Sequence, residues 1–301
     1  MSGRRRAVAP GGSDQLGLDG MPTRLVKVTP SKLGTWTACR RRYRMTYLDR
    51  PAPPRAGAWA HNTVGAVVHA ALRTFFDQPA ARRTVEDARA QVRTAWSAVQ
   101  GASGFADAEQ SARYRERAQD WVADYVESLD GGAAEVEPVG LERWVAAPVG
   151  AIVAEGRVDR IDARVNEQAP EGTELVVVDY KTGRRPLTVD DARGSQALAL
   201  YVLATRRTLR KPCRRVELHH LPTGEVLAFD HTPESLARHQ QRAEESAQEI
   251  QLTTDTLAAG GDPDVLFPPS PGAQCSWCDV RRSCDLGRQA PELAPWAGLA
   301  P

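Results

Sequence analysis

Apolar and polar positions change their rhythm near residue 135. Before that point apolar residues recur at helical intervals. Residues 31–47 predict a helix with Leu33, Trp36, Tyr43 and Tyr47 on its buried side. Three prolines make 51–58 a loop, and from Thr63 the positions Val64, Val67, Val68, Ala71, Leu72, Phe75 and Phe76 trace one face of a second helix. Thr84 with Asp87 forms a capping-box pattern that starts a helix to about residue 99, and a further amphipathic helix spans about 106–129. After 135 the period shortens. Residues 139–147 and 151–165 have strand character, and Leu175-Val176-Val177-Val178 is a buried β run closed by Thr182-Gly183. A helix is predicted over 189–207, then strands over 216–221 and 225–229 around Pro222-Thr223-Gly224. Thr232-Pro233 supplies an N-cap and first-turn proline for a helix to about residue 257. This order predicts an α/β fold, a mixed central sheet flanked by helices, with a helical insertion.

Composition narrows the setting. Of 301 residues, 42% are hydrophobic and 26% charged, the balance of a protein with a sizeable core. The net charge of +1 gives no sign of a polyanion partner; its distribution is more informative, although charge alone favours a solvated basic helix. Residues 1–55 hold twelve Lys/Arg against three acids, leaving the remainder net acidic, and a concentrated basic face can bind phosphates by counterion release. No apolar run reaches membrane-spanning length, and Arg4 to Arg6 precede no apolar signal segment, so a cytoplasmic protein without membrane contact is expected. Residues 1–22 and 289–301 read as flexible tails around one domain at 23–288. Within it, a helical part spans about 60–130, a core about 136–230 and a cysteine region 265–288. In a reducing compartment the five cysteines favour metal binding over disulfides.

Two aspartates carry the candidate chemistry. Asp159 in Gly156-Arg157-Val158-Asp159 and Asp179 in Val178-Asp179-Tyr180-Lys181 each end a β segment, twenty residues apart. Adjacent strands would bring both carboxylates to one point, a hard-oxygen set suited to Mg²⁺ or Mn²⁺. Asp179 and Lys181 are two apart on a strand, so both face the same way and an ammonium lies beside the metal position. Carboxylates for a cation and a positive charge near the nucleophile are what metal-assisted phosphodiester hydrolysis requires. D-x-K alone is short and common as an exposed pair; the preceding apolar run argues against that bland reading here.

These segments together resemble the PD-(D/E)XK nuclease superfamily, specifically its RecB/AddB-like iron-sulfur exonuclease branch and the related CRISPR-associated iron-sulfur nucleases, from about residue 28 to 284. "TPSKLGTWTACRRRYRMTYL" is similar to the branch's opening helix, "GAVVHAAL" to its histidine motif, "GRVDRID" to its first aspartate motif and "VVVDYKTG" to its D-x-K motif. The resemblance implies a restriction-endonuclease-like fold, with His69, Asp159 (rather than Asp162), Asp179 and the Tyr180 carbonyl as metal ligands and Lys181 as catalytic lysine. It places Arg41 and Arg42 of the basic opening helix near phosphates. The family's Q-x-x-x-Y helix is matched imperfectly: Gln196 and Tyr201 are five apart and share a face less neatly than residues four apart.

Cys275, Cys278 and Cys284 give C-x2-C-x5-C, with Cys39 as a distant fourth. Four thiolates suit zinc or an iron-sulfur cluster, and spacing does not choose between them. The resemblance implies a [4Fe-4S] staple joining the N- and C-terminal regions. Cys213 has no partner pattern and reads as a small buried residue. The implied activity is a DNA exonuclease acting on single-stranded or end-bearing DNA in repair or recombination. The chain has no P-loop, so processive action would need a separate helicase. A non-catalytic DNA-binding or scaffold subunit is the alternative, and the presence of Asp159, Asp179 and Lys181 speaks against it.

Overall fold

The run from Leu175 to Val178 is apolar at every position because helices cover it on both sides. The computed structural model describes residues 25–99, 104–129, 132–169 and 171–300; the tail expected at 1–22 lies outside them. All four side chains are at most 1% exposed and belong to strand β4 (Thr173–Lys181). Val176 and Val178 enter one core, Leu175 and Val177 another, as the two-residue period of a strand requires.

On the first face lie α3 (Ala60–Phe76), α4 (Val85–Ala98) and α5 (Ala108–Glu127). They contribute Val64, Leu72, Phe75, Val92 and Val122 to that core. Thr84 caps α4 by accepting from the Asp87 N–H at 3.2 Å, as its sequence pattern predicts. On the second face lie α6 (Val189–Gly194), α7 (Gln196–Leu209) and α8 (Pro233–Ala258), with Leu198 and Val202 in the second core. A third core joins Leu33, Trp36 and Tyr43 to Ile152, Leu200, Ala247 and Phe267.

The described sheet has six strands: β1 (Val26–Val28), β2 (Pro138–Val149), β3 (Ile152–Val165), β4, β5 (Cys213–His220) and β6 (Glu225–Asp230). The order is β1-β3-β4-β5-β6, with β2 also beside β3. Pairing is mixed: β1–β3 and β4–β5 are parallel, while β2–β3, β3–β4 and β5–β6 are antiparallel. This is the mixed α/β architecture expected, consistent with a restriction-endonuclease-like fold. While β2 runs along one edge of β3, the other edge is shared by β1 at Ile152–Ala154 and β4 at Arg160–Val165. β4 leaves β3 at the Arg160–Val178 pair yet continues beside β5 to Lys181. The two strands therefore fork just before Asp159 and Asp179.

Three elements differ from the sequence reading. The helix expected over 31–47 breaks at Cys39, whose extended backbone ends α1 (Pro30–Ala38) and whose Sγ caps α2 (Arg40–Tyr43) through the Arg42 N–H at 3.5 Å; π-helical residues 44–48 follow. The helix expected over 189–207 breaks at Ser195, which caps α7 through the Leu198 N–H. At the C-terminus, residues 290–300 form no strand or helix, but they are not a free tail. The Ala60 N–H donates to the Pro295 carbonyl, the Tyr114 hydroxyl to the Ala300 carbonyl, and Ala300 is 2% exposed. After α8 come the one-turn α9 (Pro263–Leu266), the cysteine region and α10 (Asp285–Gln289).

Candidate active site

The fork leaves the Tyr180 backbone N–H without a strand partner on the β3 side, and the Asp159 carboxylate takes it. Oδ2 of Asp159 accepts that N–H at 2.9 Å, which fixes the carboxylate in the gap. Its other oxygen, Oδ1, lies 3.4 Å from His69 Nδ1. His69 arrives from α3. One turn earlier on that helix is Gly65, where a Cβ would sit 3.1 Å from Thr182 Oγ1 at the end of β4. A glycine there lets α3 approach the strand end closely enough for the imidazole to reach the fork.

Glu142 completes the group. It stands on β2 opposite Asp159, with Leu141 paired to Arg160 and Arg143 to Val158 on either side. Its carboxylate lies 3.7 Å from His69 Nδ1 and is ion-paired with Arg157 Nε at 2.7 Å. Ligand atoms of His69, Glu142 and Asp159 all lie within 4.8 Å of one another. Glu142 also has φ +45°, a left-handed conformation that costs a non-glycine residue on the order of 1–3 kcal/mol and concentrates at functional sites. No periodicity in the sequence marks it. The usable signal is the β2–β3 turn at Gly150-Ala151, which sets the register that opposes 142 to 159.

The charges are mutually adjusted. Burial disfavours the His69 cation, but hydrogen bonding to Asp159 and Glu142 and the charges of Asp159 and Asp179 outweigh it and push its pKa up to about 10. Burial raises the Asp179 carboxyl; Lys181 opposes this, while the Asp159 charge reinforces it. Lys181 Nζ is ion-paired directly to Asp179 Oδ2, so the two-apart spacing does place both on one side. The Tyr180 carbonyl accepts from His69 Nε2 at 3.2 Å, on the ring edge away from the carboxylates at Nδ1. The structure thus brings Asp159 and Glu142 to one nitrogen of His69 and sets the Tyr180 carbonyl against the other.

Tyr180's side chain points to the opposite face, where its hydroxyl accepts from Arg160 at 2.8 Å. Arg160 is in turn paired with Asp162 at 2.8 Å. Asp162 is therefore a buried structural counter-ion, separate from the Asp159 group. Of the two residues expected on α7, Tyr201 reaches the site: a Cβ on Gly156 would meet its ring at 2.6 Å. Burial first, then Asp179 and Asp159, push its hydroxyl up to about 12, so it stays protonated. Gln196 is the first residue of α7.

The cysteines gather elsewhere. Cys39, Cys275, Cys278 and Cys284 line one cavity of ≈ 60 Å³ together with Arg41 and Arg42. Both arginines are ion-paired within the chain. Arg41 pairs with Asp264 at 3.0 Å and Arg42 with Asp279 at 2.8 Å, tying the opening helices to the cysteine region. Burial raises the Cys278 thiol, and the neighbouring Cys39 adds to it. Cys213 is buried on β5, its thiol pushed up to about 12, in line with a small core residue.

An imidazole, carboxylates at a strand fork and an adjoining ammonium form a donor set suited to a divalent cation. The chain belongs to the PD-(D/E)XK nuclease superfamily, whose family model matches residues 27–285. Among solved structures it is similar to a crystal structure of a candidate exonuclease from Eubacterium rectale, at 11% identity, 89% coverage of each chain and a TM-score of 0.49. No curated protein matches. Among the described residues, no helix is long and apolar enough to cross a membrane.

Proposed function

We propose that the chain is a RecB-like DNA exonuclease that hydrolyses single-stranded or end-bearing DNA in repair or recombination, with a divalent cation at the fork and a [4Fe-4S] cluster at the four cysteines. The convergence of His69, Glu142 and Asp159 beside the Asp179–Lys181 pair carries this reading. The donor set fits the cation: carboxylate oxygens with one imidazole suit Mg²⁺ or Mn²⁺, and Glu142, at a left-handed φ, supplies one of the acids. His69, Asp159 and Glu142 would hold it, with Asp179 adjacent. When bound, it stabilises the charge that accumulates on the phosphoryl oxygens.

The protein's own groups do the remaining work. Lys181, nearly half exposed and anchored by Asp179, orients the attacking water and offsets charge on the phosphate. The neutral Tyr201 hydroxyl, lying between α7 and Gly156, offers a donor to the same pocket. The Asp159–Tyr180 bond and the Arg160–Tyr180 bond hold the D-x-K strand from both sides, which helps to position its groups.

Cluster binding is supported by the four thiols around one cavity and by their one-plus-three arrangement along the chain. A cluster there closes a loop of more than two hundred residues and so acts chiefly on stability. DNA is the natural substrate of such a site, and a separate helicase is the partner a processive enzyme without a P-loop needs. Incubation with Mn²⁺ and either end-labelled linear or circular single strands tests the exonuclease reading. Linear strands shortened from an end with circles intact are expected; cleavage of circles at the same rate contradicts it.

A further inference from the structure

Beside the fork, the sheet carries an aromatic residue that neither the fold nor the metal group uses. Trp144 on β2 is 56% exposed, the most exposed of the described chain's tryptophans. In the β2–β3 ladder it stands directly opposite Arg157, and directly opposed residues of an antiparallel pair share a face. Arg157 is itself mostly exposed, and its guanidinium is held by Glu142, the carboxylate that touches His69. Along β3, Arg157 precedes Asp159 by two residues, about 7 Å of strand. Indole, guanidinium and metal group therefore form one continuous strip across two strands.

We propose that Trp144 is a stacking platform for an unpaired nucleobase, with Arg157 contacting the phosphate beside it, so that a single strand is seated one nucleotide from the hydrolysed bond. This rests on the nuclease reading and narrows its substrate to unpaired strands. An indole left half exposed on a strand adds little core packing. An exposed ring beside a fixed cation matches the two surfaces of a nucleotide, a π-face and an anion. A base in a duplex already has both faces covered by its neighbours, so the platform selects unpaired strands. Glu142 gives Arg157 its position: the carboxylate anchors the guanidinium through Nε, while the arginine side chain stays 68% exposed at the rim of the site.

The test uses the full chain carrying Lys181→Ala, so that binding is read without turnover. Titration with oligothymidylate is expected to quench tryptophan fluorescence. Adding Trp144→Ala should weaken binding about tenfold, within the range of one base–aromatic stack, while Trp144→Phe stays within about threefold of the parent. An abasic strand of equal length should bind the parent and the Trp144→Ala chain equally. Equal affinity of the Trp144→Ala chain for oligothymidylate overturns the proposal. So does an equal loss with the abasic strand or with a duplex, or a change in oligomeric mass on substitution, which would assign the ring to a subunit contact. Because this titration requires no cleavage, its failure is separable from that of the nuclease reading, which the wild type's activity decides.

Discussion

Asp159 and Tyr180 are joined where strand pairing ends: the carboxylate Oδ2 of one accepts the backbone N–H of the other at 2.9 Å. The aspartate thus replaces the missing ladder bond while its second oxygen faces His69. Structure and chemistry are separable at this residue. Asp159→Asn keeps an acceptor for the Tyr180 N–H and should unfold within about 1 kcal/mol of the wild type, yet lose nearly all activity through the lost anionic ligand. Asp159→Ala leaves a partly buried N–H unpaired and should cost about 1–3 kcal/mol in addition. Urea unfolding with parallel nuclease assays distinguishes them; equal stability of the two variants would count against the bridging role.

His69 links metal binding to pH. Its pKa of about 10 in the metal-free protein reflects the Asp159 and Glu142 carboxylates, which overcome the opposing effect of burial, so at neutral pH the nitrogen facing them carries a proton. A cation taking that position must displace it. Mn²⁺ affinity is expected to rise about tenfold per pH unit between about pH 6 and 9, with close to one proton released. Calorimetry in buffers of different ionisation enthalpy measures the proton count. His69→Ala should bind more weakly and with little pH dependence; an unchanged slope in that variant would remove His69 from the site.

How much of this is legible in the sequence depends on the range of the interaction. The β4 run, the D-x-K side chains and the caps at Thr84 and Thr232 are local, and each is where its residues predict. Strand β1 has three residues, too few to show a period, and is recruited by its parallel register with Ile152–Ala154. The break at Cys39 is hidden because apolar spacing continues across it; the thiol is turned toward residues more than two hundred positions away. Glu142 is hidden for a similar reason. Its place depends on hairpin register and on a left-handed φ, neither of which leaves a compositional trace.

Gly156 and Tyr201 should be energetically coupled. Gly156→Ala drives a methyl into the Tyr201 ring at 2.6 Å and is expected to cost about 1–3 kcal/mol, as overpacking of a close contact does. Tyr201→Ala should relieve that strain, so the double variant is more stable than the sum of single effects predicts. Thermal unfolding of the four proteins measures the coupling, and strict additivity would show that the contact yields freely.

Acid should destabilise the protein through His231. Burial first, and then His239, lower its pKa to about 4, and it is hydrogen-bonded to Ser235 at 3.0 Å. Its neutral form belongs to the folded state, so its contribution is complete above its unfolded value of about 6.5 and is lost as pH falls toward 4. Unfolding midpoints should fall between about pH 7 and 5 in the wild type and fall less in His231→Asn.

The cysteines divide four to one. Anaerobic preparation of Cys275→Ser should lose bound iron and visible absorbance and melt several degrees lower, whereas Cys213→Ala should keep both iron and colour, its loss confined to packing. A colourless, zinc-loaded wild type would replace the iron-sulfur assignment.

Lys181 separates a fork that hydrolyses DNA with a metal from one that only holds the residues in place. Labelled single-stranded DNA incubated with Mn²⁺ should be degraded by the wild type and protected by a chelator. Lys181→Ala, which leaves His69, Glu142 and Asp159 in place, should bind Mn²⁺ normally while cleaving at least about a hundredfold more slowly. A wild type that binds the strand and metal without cutting, or a Lys181→Ala chain that cuts at the wild-type rate, would overturn the nuclease reading of the fork.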